Sequence, residues 1–184
     1  MNHSYKETWF HHRGIDWLVN ARGSGLDPQI LRKVLDVPLW MLNNHRKVFL
    51  FRFDLSCYTS QRNNKSISLL ISRVKNKVRL QKYSKRIAIC WAREIHSADT
   101  PHYHVLVALD GSKVNSPYVL SEWIKFYWFH HGRYTAVKYY KLDRTDTDEL
   151  FQAIWHFSYL AKIRGKEVKF ENTRRFSVSF TELY

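Results

Sequence analysis

Two runs dense in β-forming residues, 86–96 (RIAICWAREIH) and 103–109 (YHVLVAL), are joined through the turn-rich Ser97-Ala98-Asp99-Thr100-Pro101. Five turn-forming residues between two such runs leave an antiparallel hairpin as the natural arrangement. The flanking segments must then build around it. Residues 48–55 (VFLFRFDL) place Phe49, Phe51, Phe53 and Leu55 on one side of a strand and Leu50, Arg52 and Asp54 on the other. Residues 66–82 carry Ile67, Leu70, Ile71, Val74 and Val78 at helical spacing, with Arg73, Lys75, Lys77, Arg79 and Lys82 elsewhere on the surface. After the hairpin come an aromatic-rich helix over 117–129, a strand over 134–142 and a helix over 148–163 closed by Gly165.

The resulting order, β-α-β-β-α-β-α, predicts an α+β fold: a central antiparallel sheet of four or more strands, with helices packed on one face and the other face left available. Residues 174–180 alternate like an edge strand. Upstream, Asp27-Pro28 opens a helix over 27–43 that puts Ile30, Leu31, Val34 and Leu35 on one face before Pro38 interrupts the pattern. With 184 residues and no linker-like stretch, one globular domain is expected: an N-terminal helical segment, 1–45, packed on a core domain, 46–184.

Charge narrows the partner. The formal net charge is +14 with a pI near 9.9, and between Arg46 and Arg93 thirteen basic residues face the single acid Asp54. Lys and Arg release counterions when they neutralise phosphates, so one strongly positive side points to nucleic acid. No apolar run, amphipathic anchor or lipidation motif favours a membrane. The first nine residues lack the apolar stretch of a secretion signal, which predicts a cytoplasmic protein. Cys57 and Cys90 lack paired-ligand spacing and read as buried thiols.

Two motifs can carry chemistry. In Pro101-His102-Tyr103-His104-Val105, the period of two puts both imidazoles on one side of a strand, where their nitrogens can converge on one cation. Glu94, near the end of the preceding strand, can sit across the hairpin as a third ligand, with His96 as the alternative; two imidazoles and a carboxylate suit Mg²⁺ or Mn²⁺. The second motif, Tyr159-Leu160-Ala161-Lys162, sets a hydroxyl and an ammonium three residues apart on one helical face. A phenol ionises only near pH 10, roughly, so it needs a polarised phosphate or a nearby cation to attack at neutral pH. Each motif also has a plain reading: two half-exposed strand histidines, and a tyrosine packed in an aromatic core. Arg52 suits either a DNA phosphate or a structural pair with Asp54, and Asp54 either that pair or the orientation of a ligand histidine.

A His-hydrophobic-His strand followed by a helix bearing Tyr-x-x-Lys, behind an earlier strand such as Phe51-Arg52-Phe53-Asp54-Leu55, resembles the HUH endonucleases of the rolling-circle replication initiator type, closest to the inovirus replication proteins and their prophage-encoded relatives. The resemblance spans about 48–165 and lies in the order of motifs. It implies a ferredoxin- or RRM-like core, His102, His104 and Glu94 as ligands of Mg²⁺ or Mn²⁺, Tyr159 as nucleophile and Lys162 as its electrostatic helper. Arg52, Arg73, Lys75, Lys77, Arg79 and Lys82 would contact the DNA. Tyr103 replaces the usual aliphatic residue between the histidines and should still pack inward.

The implied reaction is nicking and joining of single-stranded DNA through a 5′-phosphotyrosine bond, to start replication of a phage, plasmid or prophage element in a bacterial cytoplasm. The implied partners are a single-stranded origin, which a hairpin can present, and a separate helicase, because the chain has no Walker loop. A monomer is expected, with a dimer as the alternative. Position 163 is Ile, so one tyrosine serves each chain. The rival readings are a single-tyrosine transposase of the same chemistry, and a non-catalytic nucleic-acid-binding module.

Overall fold

The computed structural model describes residues 7–95, 100–166 and 173–184. Its elements, in chain order, are β1 (Thr8–His12), β2 (Ile15–Val19), α1 (Pro28–Asn44), β3 (Lys47–Cys57), α2 (Lys65–Leu80), β4 (Arg86–Ile95), β5 (Pro101–Asp110), α3 (Tyr118–Trp128), β6 (Gly132–Asp143), α4 (Thr147–Phe157), a 3-10 turn (Ser158–Ala161) and β7 (Phe176–Glu182). Strands β3 to β7 form one antiparallel sheet in the order β6-β3-β5-β4-β7. The α+β class and the antiparallel sheet are therefore as expected, with the His-x-His strand β5 at the centre and the C-terminal segment on an edge.

The helices do not leave one sheet face open: they cover both. Phe49, Phe51, Phe53 and Leu55 of β3, Ile87, Ile89 and Trp91 of β4, and Tyr103, Val105 and Val107 of β5 pack under α2 and α3. Val48 and Leu50, Ala88, Cys90 and Ala92, and Leu106 and Ala108 form the opposite face, under α1, α4 and the 3-10 turn. Central strands that are apolar on both sides must be covered twice. The alanines on the second face leave room for α1 to lie close. Tyr103, buried among the α2/α3 side chains, packs inward as expected.

Asp27 caps α1, accepting from the N–H groups of Gln29 (2.9 Å) and Ile30 (3.2 Å), which contributes about 1 kcal/mol. The helix does not stop at Pro38 but runs on to Asn44. A mid-helix proline removes one rung of the hydrogen-bond ladder, and here the flanking Val37 and Met41 are fully buried in the core and hold the helix together. The segment before α1 is a β-hairpin, a feature absent from the helical reading of 1–45. Its turn is Arg13-Gly14, both with positive φ (53° and 75°), the twist that two-residue hairpins favour. Trp17 anchors it, buried against Phe151 of α4 (ring centroids 4.9 Å apart).

Cys57 and Cys90 are buried and unbridged, and burial pushes their thiols up to about 11 and about 12. Among the described residues, no helix is long and apolar enough to cross a membrane.

Candidate functional site

Three strands change character at one level of the sheet. On the α1 side, β3 passes from Val48 and Leu50 to Arg52 and Asp54, β5 from Ala108 and Leu106 to His104 and His102, and β4 from Cys90 and Ala92 to Glu94. The register aligns these changes: Asp54 pairs with His104, Ser56 with His102, and Glu94 with His102. The sheet thus has an apolar half that seats α1 and a polar half that forms a floor. Glu94 faces the histidine pair across the hairpin, as the alternation of side chains predicted. His96, the alternative ligand, lies outside the described residues.

His104 is the centre of this floor. Its Nδ1 is 2.8 Å from Asp54 Oδ1 and its Nε2 is 3.0 Å from Glu94 Oε2. The first contact is an ion-pair distance, and the same Nδ1 also lies 3.4 Å from Arg52 Nη2. The second is likewise an ion-pair distance, and it leaves the buried Nε2 without an aligned hydrogen-bond partner. Burial works to lower the pKa of His104, but the two carboxylates outweigh it and raise the value. Burial works to raise that of Glu94, but His104 and Lys166 bring it down to about 2. Asp54 is likewise held below the usual carboxylate range, by His104 and Arg52 against burial. Arg52 pairs with Asp54 (Nη2 to Oδ2, 3.1 Å), so Asp54 lies against both Arg52 and His104.

Tyr159 sits above the floor. Its ring meets His104 edge-on, with centroids 5.3 Å apart and planes at 86°. The Arg52 guanidinium carbon lies 4.2 Å from the ring centroid and the Lys162 ammonium 4.8 Å. The helix expected over 148–163 ends at Phe157, so Tyr159 belongs to the 3-10 turn and Lys162 lies just past it. Residues three apart eclipse in a 3-10 turn, which keeps the ammonium beside the phenol. Tyr159 is half-buried and lines a cleft of about 310 Å³ together with Arg22, Ser24, Glu94, Lys162 and Arg164.

The loop between β2 and α1 forms one wall of that cleft. Lys162 Nζ donates to the Arg22 carbonyl, Ile163 N–H to Gly25 O (3.0 Å), and Asp27 N–H to Ala161 O (2.7 Å).

Lys166 is a member of the site that no sequence pattern marks. It is 2% exposed, and its ammonium lies 2.6 Å from Glu94 Oε1 and also donates to the Lys162 carbonyl. It follows a helix end and Gly165, where no periodic pattern marks a side chain as inward-facing. Arg22 and Arg164 are equally unmarked, as exposed cations in turns.

The cations of α2 are not brought to this site. Arg73 stacks over Tyr127 (5.5 Å), Lys77 over Trp123 (5.9 Å), and Lys75 donates to Thr181 Oγ1 (2.9 Å). Arg79 and Lys82 belong to the exposed end of the same helical segment. The sheet stands between this set and Tyr159, so of the anticipated nucleic-acid contacts only Arg52 adjoins the phenol.

As the side chains lie, no three His, Cys, Asp or Glu among the described residues form a ready cage for a metal ion. The donor chemistry nevertheless fits a divalent cation. The unaligned Nε2 of His104 points toward the Glu94 carboxylate, and Glu94 and His102 are register partners on the same face. Asp54 on Nδ1 is the carboxylate that commonly orients a ligand histidine. Glu94, His102 and His104 would hold the ion.

No protein-family model matches the chain, and no curated protein matches its sequence.

Proposed function

We propose that the chain nicks and rejoins single-stranded DNA, with Tyr159 as the nucleophile and Glu94, His102 and His104 as holders of Mg²⁺ or Mn²⁺. One observation carries the reading: a half-buried phenol packed edge-on against the central histidine, flanked by two cations, at the mouth of a basic cleft. A tyrosine placed only for packing does not need Arg52 and Lys162 beside its ring. These charges suit an incoming phosphate.

In the reaction, the Tyr159 oxygen forms a bond to phosphorus and the bond from phosphorus to the 3′ oxygen breaks. The phenolic proton is lost and the departing 3′ oxygen gains one, leaving a free 3′-hydroxyl and a 5′-phosphate joined to tyrosine. Attack by a 3′-hydroxyl reverses the exchange, so joining needs no nucleotide cofactor. Arg52 and Lys162 bind the non-bridging oxygens, whose charge grows in the transition state. Asp54, 2.8 Å from Nδ1 of His104, favours a proton on that nitrogen. A bound divalent ion would supply Lewis-acid polarisation of the phosphate. The cations of α2, on the far side of the sheet, would contact DNA outside the nick. Initiation of rolling-circle replication of a phage, plasmid or prophage element in a bacterial cytoplasm, with a separate helicase, is the setting this chemistry suits. A single-tyrosine transposase would use the same site.

A non-catalytic DNA-binding role is favoured by a different observation. With Lys166 on Glu94, and His104 between Asp54 and Glu94, the floor is already balanced in charge.

The test is incubation with pooled single-stranded oligonucleotides and Mn²⁺, followed by a denaturing gel. The expected result is a protein-linked DNA band, absent from Tyr159→Phe and from His102→Ala. DNA binding with no such band under any metal condition favours the non-catalytic role. A band that survives Tyr159→Phe moves the nucleophile elsewhere, with Tyr139 and Tyr140 as the next candidates.

A further inference from the structure

The chemistry just proposed makes no use of the groove that opens one helical turn before Tyr159, roughly 6 Å back along the axis of α4. Its volume is about 500 Å³, and Trp9, Tyr140, Phe151, Gln152, Trp155 and His156 line it. Five of those six side chains are aromatic rings. Trp9 on the β1–β2 hairpin is 67% exposed, a large cost in unburied apolar area for a residue serving the fold alone.

The walls are braced. The Trp155 indole N–H donates to Glu7 Oε1 (3.1 Å) and its ring meets His156 edge-on (5.7 Å). Phe151 rests on the buried Trp17, and the Tyr140 hydroxyl lies 3.3 Å from His156 Nδ1. Rings held this way present flat apolar surfaces at little entropic cost.

Two cations connect the groove with the nucleophile. Arg52, over the Tyr159 ring, is the register partner of Lys138 on β6, and the Lys138 ammonium lies 5.3 Å from the Tyr140 ring centroid. A line of positive charge therefore runs from the phenol to the groove. A polyanionic chain following it would bring its next unpaired base to the rings, in a groove whose lining also includes Gln152 and His156. The volume suits a small planar group.

We propose that this groove seats one unpaired nucleobase of the strand held at Tyr159. The inference relies on the nicking reading only for the identity of that strand, and it makes the aromatic groove a source of sequence preference beside the cut.

The test uses the full chain carrying Tyr159→Phe, without metal, so that no cleavage intervenes. Fluorescein-labelled dT12 is compared by anisotropy with a backbone of the same length whose central bases are replaced by abasic spacers. The expected result is tighter binding of dT12 by about 10-fold, a preference reduced roughly 5-fold or more by Trp155→Ala and by Trp9→Ala, as expected for loss of one base stack. Trp155→Phe keeps a ring and should retain most of the preference. Trp9→Ala guards against misfolding as the cause, because that side chain is largely exposed.

Variants that bind dT12 as the parent does, or that lose affinity for both ligands equally, overturn the proposal. So does a parent dimer that Trp9→Ala converts to monomer with the base preference unchanged, since the groove would then be a contact between copies. A covalent DNA adduct on the Tyr159 protein with no base preference sinks the groove alone. A base preference without any adduct sinks the nicking reading alone.

Discussion

Asp54 Oδ1 stands 2.8 Å from His104 Nδ1, so a carboxylate on β3 lies against the imidazole at the centre of the sheet. Asp54→Asn keeps the shape but removes the charge that favours Nδ1–H. Loss of a carboxylate that orients a ligand histidine typically reduces metal affinity or activity by about 10- to 100-fold. Adduct formation by Asp54→Asn should fall by that order, with more Mn²⁺ needed for half-maximal rate. An unchanged metal requirement would show that Asp54 serves only to pair with Arg52.

The ion pair between Lys166 and Glu94 is buried on both sides, and its distance of 2.6 Å leaves no room for water between the charges. Breaking a buried pair costs up to about 3–5 kcal/mol, less here by what His104 still supplies to Glu94, whereas replacing both partners is often close to neutral. In urea unfolding, Lys166→Met alone should be strongly destabilised, and Glu94→Gln with Lys166→Met should recover much of the loss. Equal destabilisation in the single and double variants would argue that Lys166 acts through its bond to the Lys162 carbonyl instead.

What the sequence made legible followed short-range periodicity. Period two put His102 and His104 on one face, and the register of β4 against β5 then brought Glu94 to the same level of the sheet. The strand boundaries of β3, β4 and β5 were similarly clear from runs of β-formers. What escaped has no period. Lys166 and Arg22 reach the site from turns, and the β1–β2 hairpin consists of two five-residue runs, one ending in His11-His12, too short to outweigh the strong helix that follows. Which sheet face a helix takes depends on how it crosses over, so the basic stripe of α2 was visible but its separation from Tyr159 was not.

Acid should loosen the hairpin before the rest of the fold. Asp36 of α1 accepts from His12 (2.9 Å) and Arg13 (2.8 Å), tying the hairpin to the helix. Burial acts to raise its pKa, but those two bonds and charges outweigh it and hold the carboxyl below its ordinary 3.8. A carboxyl depressed on folding adds stability above its unfolded pKa and loses it as pH falls through the folded value. Between about pH 5 and about pH 3, the parent should therefore lose more stability than Asp36→Asn, as read from urea midpoints. Parallel losses in the two proteins would assign the acid sensitivity to other carboxylates.

Gly132 opens β6 at a point where the chain has no room for a side chain. A Cβ there would lie 1.6 Å from the Ser56 carbonyl oxygen and 2.6 Å from its carbon, both backbone atoms of β3 that cannot step aside. The pairing of Gly132 with Cys57 sets the first half of the β6 register, which places Thr135 beside Asp54; after the bulge between Arg52 and Phe53, Lys138 lies beside Arg52. Gly132→Ala must therefore either push the strands apart or peel back the start of β6. The cost should exceed about 4 kcal/mol if the whole edge is disturbed, the range reserved for severe backbone or core defects. If only the first residues detach, the denaturant midpoint should fall less while amide exchange accelerates along the start of β6. Where the whole edge is disturbed, the strand flanking Asp54 and Arg52 is displaced, so DNA binding should weaken along with stability. A variant that melts and exchanges like the parent would mean that β6 does not approach β3 this closely, and the edge beside the site would have to be placed differently.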